Sequence, residues 1–343
     1  MSLFWAYTPT FKDDYGNEIP NSIAEMRMIT IEKTKQFVLI RGESISNPVL
    51  LLLHGGPGSP ETGLFRYYNY PLEKKFVVVY WDQRVCGKSY TKKSAEEPLS
   101  VNMFVDDVCE LAQYLRLHLK KEKIFLLGHS WGTLIGTMAA HRCPELFYAY
   151  VGTGQVSSMP AGELESYRFA INAAKESNNK KALKELKEIG EPENGIYKCG
   201  ISGIKRERKW LTYFGGAIYG EKSFLPLLKK LLITKEYNLI DFYHFFKGMN
   251  APSRNKMSQG EFLKINLFET VKELEIPVYF FLGRHDYQIP SSVAEKYFNY
   301  LKAPKKTLEW FEESAHCSCF EESSKFNKLM VEKVLKENIK NLV

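Results

Sequence analysis

Residue 130 is where residue types and spacing first suggest covalent chemistry. Gly128-His129-Ser130-Trp131-Gly132 follows an apolar run at 124–127 and precedes a helical pattern at 133–141. A serine in a G-x-S-x-G turn between strand and helix projects its hydroxyl from the sheet edge, and small residues two positions away on each side relieve the crowding of so sharp a bend. The free N–H groups of the following helix then face developing negative charge. The pentapeptide alone would also suit an ordinary glycine turn; its setting favours a nucleophile. A second glycine cluster, His54-Gly55-Gly56-Pro57-Gly58, directly follows the apolar run 49–53. Acyl transfer needs two backbone donors for a tetrahedral oxyanion, and a residue without a side chain lets the backbone come close. Gly56 and Trp131 are the expected N–H donors.

A serine nucleophile needs a base, and the base needs an orienting carboxylate. Of the seven histidines, His118 and His141 fall in helical patterns, His244 in a helical middle region, and His54 and His129 in glycine turns where packing accounts for them. His316, in Ser314-Ala315-His316-Cys317 just beyond the last apolar run, sits where side chains gather at the carboxyl edge of a sheet. Asp286, in Gly283-Arg284-His285-Asp286, follows the run 278–282 and reaches the same edge. Neighbouring residues of an extended segment face opposite ways, so His285 and Asp286 cannot both face Ser130. The chain order Ser130, Asp286, His316 is the order used by α/β-hydrolases.

The elements that must position these residues are legible as a rhythm of short apolar runs, turns and helical patterns, which predicts an α/β fold with a mostly parallel sheet. The runs lie at 49–53, 76–81, 124–127, 148–151, 278–282 and 307–311, apolar at nearly every position as strands covered on both faces are. Residues 26–31 and 36–40 alternate more and predict an antiparallel hairpin at the sheet's edge. Phe104, Val108, Leu111, Ala112 and Leu115 recur at helical spacing, with Asp106, Asp107 and Glu110 placed on the opposite, polar side. Strand rhythm stops between 159 and 265, where 180–189 and 224–233 read as amphipathic helices. The chain therefore divides into a first core segment, 1–158, a helical cap, 159–265, and a second core segment, 266–343, with the ends of the cap close together because the flanking strands share one sheet.

Composition narrows the function classes. The chain has 343 residues, 44% hydrophobic and 25% charged, with a net charge of +7. The excess lies between 159 and 265, with 19 Lys or Arg against 12 Asp or Glu. It forms no stripe, so nucleic acid is not an expected partner. Six scattered cysteines lack CxxC pairs, which argues for free thiols and against a disulfide framework or a zinc site. No apolar run approaches the length of a membrane span, and the N-terminus lacks a signal peptide, so the chain as written reads as cytoplasmic. Met1-Ser2-Leu3 would suit an added leader and Phe4-Trp5-Ala6-Tyr7 an aromatic cluster at a membrane interface. Membrane contact, anchoring or export is expected only if an upstream segment has been trimmed. Nothing in the sequence sets an oligomeric state.

Together, His54-Gly55-Gly56-Pro57-Gly58, Trp81-Asp82-Gln83-Arg84, Gly128-His129-Ser130-Trp131-Gly132, Gly283-Arg284-His285-Asp286 and Ser314-Ala315-His316 resemble the prolyl aminopeptidase (proline iminopeptidase) family of α/β-hydrolases. The resemblance covers both core segments and hardly touches the cap. It implies a serine hydrolase without metal or organic cofactor, with Ser130 as nucleophile, His316 as base and Asp286 as its orienter. The implied substrate is a small peptide with a free N-terminal proline, its amine held by cap and loop carboxylates; Glu163 and Glu165, at the start of the cap, are candidates. The match weakens after Trp81-Asp82-Gln83-Arg84, where the family usually has glycine and this chain has Val85, a β-branched residue expected to resist a left-handed turn. The aromatic residues of the cap, Phe245 and Trp210 among them, suit either a small apolar acyl group or the cap's own core. An esterase or amidase acting on a small apolar acyl substrate uses the same five positions, and a catalytically silent ligand-binding protein would keep the pocket. Epoxide hydrolases and haloalkane dehalogenases attack with aspartate at the elbow, which Ser130 argues against.

Overall fold

The computed structural model describes residues 5–254 and 261–339; Met1-Ser2-Leu3 and Phe4 lie outside the described residues. Eight strands form one sheet: β1 (Ile23–Ile31), β2 (Thr34–Gly42), β3 (Val49–Leu53), β4 (Val77–Asp82), β5 (Ile124–His129), β6 (Phe147–Thr153), β7 (Val278–Gly283) and β8 (Lys306–Phe311). Their spatial order is β1-β2-β4-β3-β5-β6-β7-β8. β1 pairs with β2 and β2 with β4 antiparallel, and the remaining neighbours are parallel. This is the mostly parallel α/β-hydrolase sheet the apolar runs predict.

The continuous apolar runs exist because both faces of the sheet are covered. Val49, Leu51 and Leu53 of β3 join one core, with the helices Val101–His118 and Trp131–Arg142, while Leu50 and Leu52 join the core on the other face. β1 and β2 form the expected antiparallel hairpin at one edge of the sheet; β1 is outermost, and β2 lies between β1 and β4 and is buried from Gln36 to Gly42. The helix Val101–His118 buries Phe104, Val108, Leu111, Ala112 and Leu115 as its spacing requires. Asp107, expected on the polar side, is instead buried against Arg84, whose Nε and Nη2 donate to its two carboxylate oxygens at 2.6 and 2.5 Å. A partner elsewhere in the chain overrode its place in the helical period.

Between β6 and β7 the described residues form helices, chiefly Met159–Glu176, Lys180–Ile189, Ile201–Tyr213, Leu225–Leu231 and Leu239–Arg254. The ends of this stretch are tied together: the Met159 N–H donates to the Ile265 carbonyl at 2.9 Å and the Leu267 N–H to the Ser157 carbonyl at 2.7 Å. Tyr167, Leu186, Trp210 and Leu211 make a core within it, whereas Leu227, Leu231, Phe242 and Phe245 join the core of the sheet.

Val85 takes the left-handed conformation that its side chain disfavours, with φ 60°. Such a residue costs about 1–2 kcal/mol. Its side chain is only 1% exposed and belongs to the main core, and full burial of a valine contributes roughly 1.5–3 kcal/mol. Burial therefore offsets the backbone cost, and the turn after Trp81-Asp82-Gln83-Arg84 survives without glycine.

Candidate active site

Ser130 sits at the turn between β5 and the helix Trp131–Arg142 with φ 53° and ψ −121°, a conformation that costs a non-glycine residue about 1–3 kcal/mol. The close packing that forces this bend also explains the flanking glycines. A Cβ on Gly132 would lie 2.0 Å from the Leu53 carbonyl oxygen, and one on Gly128 would lie 2.6 Å from the Gly132 carbonyl oxygen. The Ser130 N–H donates to the Thr153 carbonyl at 3.0 Å, which fastens the turn to the end of β6.

His316 and Asp286, 30 residues apart, meet at the carboxyl ends of β7 and β8. His316 Nδ1 and Asp286 Oδ2 are 2.9 Å apart, and both side chains are buried. The other carboxylate oxygen, Oδ1, accepts the backbone N–H groups of Gln288 and Ile289, both at 2.9 Å. A carboxylate cannot donate, so Nδ1 carries the proton and the neutral ring presents a lone pair at Nε2. That nitrogen is buried without a hydrogen-bond partner. Ser130 and His316 line the same cavity, but the serine hydroxyl and Nε2 are not bonded to each other. A catalytic bond of this kind often tightens only when substrate is bound. His285 faces elsewhere and stacks on Tyr219, ring centroids 4.5 Å apart.

Of the two expected oxyanion donors, Gly56 lines the cavity beside Ser130. Its φ is 122°, and a Cβ there would meet the Gly58 nitrogen at 2.5 Å. Trp131 opens the helix after the serine, so its N–H is one of the donors a helix start leaves free. Its side chain points inward, with Nε1 donating to Gln83 Oε1 at 2.9 Å and the ring packed edge-on against Phe104. Gln83 also donates from Nε2 to the His54 carbonyl at 3.1 Å, so one side chain braces both glycine turns. His54 Nδ1 donates to the Gly55 carbonyl at 2.7 Å and Nε2 accepts the Gln83 N–H at 3.2 Å, which fits a neutral ring. Burial pushes its pKa down to about 4. Arg84 completes the motif through Asp107, and Asp82 by accepting the hydroxyl of Tyr237 and the backbone N–H of Lys88.

Several contributors left no signal in the sequence. Glu321 straps the loop that carries His316: its Oε2 accepts the N–H groups of Ala315 at 3.1 Å and Cys317 at 3.0 Å, and its Oε1 that of Tyr219 at 2.6 Å. Burial pushes its pKa up to about 7. Gly154, just past β6, gives the His316 ring its room, since a Cβ there would lie 2.8 Å from Cε1. Glu61 accepts from His129 Nδ1 at 2.7 Å and from the Gly55 N–H at 3.2 Å, while His129 Nε2 donates to the His316 carbonyl at 3.1 Å. Burial opposes a charge on His129, but the Glu61 carboxylate and the His316 carbonyl outweigh it and its pKa is raised. Glu61, Gly154 and Glu321 are single residues with no motif around them; only three-dimensional neighbours give them a role.

The cavity measures about 450 Å³ and its far wall is apolar, with Leu64, Leu227, Leu231, Phe245 and Phe320 among its residues. Glu163 is not on it. It is buried against Arg208, which Glu207 also engages, and it lines a separate crevice of about 10 Å³ that touches the cavity only through Gln288. Glu165 does not line the cavity either. Among the described residues no group of three or more His, Cys, Asp or Glu is arranged to hold a metal ion, and no helix is long and apolar enough to cross a membrane.

Comparison with known proteins agrees with this fold. The family model described as the alpha/beta hydrolase fold matches residues 48–180. The probable aminopeptidase YbaC of Bacillus subtilis is 33% identical over 312 residues, covering 89% of this chain and 94% of the relative. The chain belongs to the prolyl aminopeptidase family of α/β-hydrolases. As a member it is a prolyl aminopeptidase-like hydrolase. The proline iminopeptidase of Heyndrickxia coagulans is 27% identical over 290 residues, 81% of this chain and 87% of the relative. In three dimensions the proline iminopeptidase-related protein of Thermus thermophilus superposes with a TM-score of 0.62 at 19% identity, over 94% of this chain and 99% of that one, a likeness of fold.

Proposed function

We propose that this hydrolase is a serine aminopeptidase that releases N-terminal proline, or another small apolar residue, from small peptides through an acyl-enzyme on Ser130. His316 Nε2 takes the hydroxyl proton as Ser130 Oγ attacks the scissile carbonyl, and later passes it to the leaving amine; water then repeats the sequence to free the acid. Asp286 holds the imidazole in the Nδ1–H tautomer and stabilises the imidazolium. The backbone N–H groups of Gly56 and Trp131 receive the oxyanion, each worth about 10²–10³ in turnover. The helices of 159–265 serve as a cap over the two core segments. The observation that carries the reading is the His316 ring: Nδ1 is fixed on a buried carboxylate, Nε2 is buried without a partner, and His316 and Ser130 line the same cavity.

The apolar cavity wall favours one second reading, an esterase or amidase acting on a small apolar acyl substrate with no amine. Anilides of proline, alanine and acetylated proline, compared with short p-nitrophenyl esters, separate the two: an aminopeptidase loses activity when the amine is blocked, and indifference to the block removes that reading. A fluorophosphonate should label Ser130 in the native protein and not in Ser130→Ala. Absence of both labelling and turnover would leave a silent binding protein.

A further inference from the structure

We propose that Glu61, on the loop between β3 and the helix Thr62–Tyr68, binds the α-ammonium of the substrate, and that the preferred substrates are peptides or amides with a free amine and an apolar first residue not restricted to proline. The proposal rests on the aminopeptidase reading and adds the residue that recognises the amine and the breadth of the side-chain site.

Glu61 is in the right position. In an aminoacyl substrate the α-nitrogen lies about 2.5 Å from the carbonyl carbon that the serine attacks, so its anchor must stand next to the nucleophile. Glu61 Oε1 and Ser130 Cβ lie 3.1 and 3.3 Å from the point where a Cβ on Gly55 would sit. The bare Gly55 backbone thus leaves carboxylate and serine flanking one small space. Charge favours the same residue. Among the described residues lining the cavity Glu61 is the only acidic one, and the remaining wall is apolar or neutral apart from the histidines. Asp286 is fully buried behind His316, held by it and by two backbone donors, and does not line the cavity.

The carboxylate is also pre-organised. The Gly55 N–H and His129 Nδ1 each hold one of its oxygens, so the group is fixed before substrate arrives, and each oxygen keeps a further acceptor direction for an ammonium. The acids of the helical segment are poorly placed to bind an amine there, since Glu163 and Glu207 share Arg208, and Glu163 faces the small crevice beyond Gln288. The net positive charge of that segment gives an ammonium no long-range attraction, so its recognition must be local. With the amine on Glu61 and the carbonyl at Ser130, the first side chain is directed into the wall of Leu64, Leu227, Leu231 and Phe245. At about 450 Å³ this space exceeds the needs of a pyrrolidine ring and accepts leucine or phenylalanine.

The test compares kcat/KM for proline, leucine and phenylalanine anilides with that for p-nitrophenyl butyrate, which has no amine. Glu61→Gln keeps an acceptor for His129 and removes the charge. The ratio of free-amine to ester activity should fall about 100-fold, chiefly through KM on the anilides. Equal losses on both series would mean that Glu61 only holds His129 and the loop, and the proposal would fall. It would fall equally if Glu163→Gln, and not Glu61→Gln, collapsed the ratio. Should Glu61→Gln not fold, leucinamide and 4-methylpentanamide are compared as inhibitors of the native enzyme, with Glu61→Asp as a second variant. The amine should strengthen binding at least tenfold, and Glu61→Asp should weaken that advantage; an unchanged advantage overturns the assignment. If the native enzyme itself makes no distinction between free and acetylated amines, the aminopeptidase reading fails first and the role of Glu61 fails with it.

Discussion

At the scale of single residues, the hydrogen bonds of Asp286 determine which nitrogen of His316 carries the proton and which would act in the proposed mechanism. Asp286→Asn should keep Oδ1 on the Gln288 and Ile289 N–H groups, so its Nδ2 would take the place of Oδ2. An amide donor there would force the proton of the neutral ring onto Nε2, the nitrogen that accepts from Ser130 in the proposed mechanism. Turnover should then drop about 10⁴-fold with little change in fold, as read by steady-state kinetics and circular dichroism. A loss of tenfold or less would show that Asp286 does not set the tautomer. The serine, histidine and aspartate could be picked from the sequence because each sits in a motif at the end of an apolar run. Glu61 and Glu321 could not be, since a lone polar residue carries no period and no spacing.

At the scale of elements, the room around His316 is made by the end of β6. Gly154 has φ 59°, and a Cβ on it would meet the His316 ring at 2.8 Å for Cε1 and 2.9 Å for Nδ1. Gly154→Ala should displace the imidazole and lower kcat by at least tenfold while fluorophosphonate labelling slows in parallel; an unchanged labelling rate would show that the ring is not crowded. The helix Val101–His118 and the end of the helix Trp131–Arg142 approach through Cys109 and Cys143, whose Sγ atoms are 2.6 Å apart as free thiols. Burial raises the Cys109 pKa, so exchange should be slow at neutral pH. Incubation with oxidised glutathione is expected to form one protein disulfide and release two glutathione thiols. Thiol titration should then find four of the six cysteines free, and Tm should rise by several degrees. Cys109→Ser should abolish the rise, and a native protein that keeps six thiols would contradict the pairing. The strands from β3 onward were legible to within a residue or two because burial on both faces leaves an unbroken apolar run. The pairing of β2 with β4 was not, because alternation reports local exposure and says nothing of which strand lies next door.

For the whole molecule, several buried ionisable groups bias stability in one direction near neutral pH. Burial raises the pKa of Asp82, Glu207 and Glu321 to about 7 each. A carboxyl group whose folded pKa lies above its unfolded value contributes stability at low pH that is lost as pH rises through about 7. His129, with a raised pKa, has the same sign: its contribution is present below its unfolded value of 6.5 and lost as pH rises through the folded one. His54 has the opposite sign. Its folded pKa of about 4 lies below 6.5, so its contribution of roughly 3 kcal/mol is present above 6.5 and disappears as pH falls toward 4. Tm should therefore rise on going from pH 8 to pH 5, with His54 offsetting only part of the carboxyl contributions below pH 6.5. A Tm that falls steadily from pH 8 to pH 6 would show that these groups do not govern the profile.

What the sequence determined by itself was local and periodic: the strands, the packed helices, the strained serine turn and the residues standing at strand ends. Burial forces apolar repetition on the chain, and a sharp turn demands glycine at fixed offsets, so both are written in adjacent residues. What only the tertiary structure decided was pairing across the chain. Asp107 is buried because Arg84 reaches it, Val85 holds a left-handed turn because the core closes around it, and Glu61 comes close to Ser130 because Gly55 has no side chain. Each depends on the distance between atoms far apart in sequence, a quantity that hydrophobic period and motif spacing do not contain.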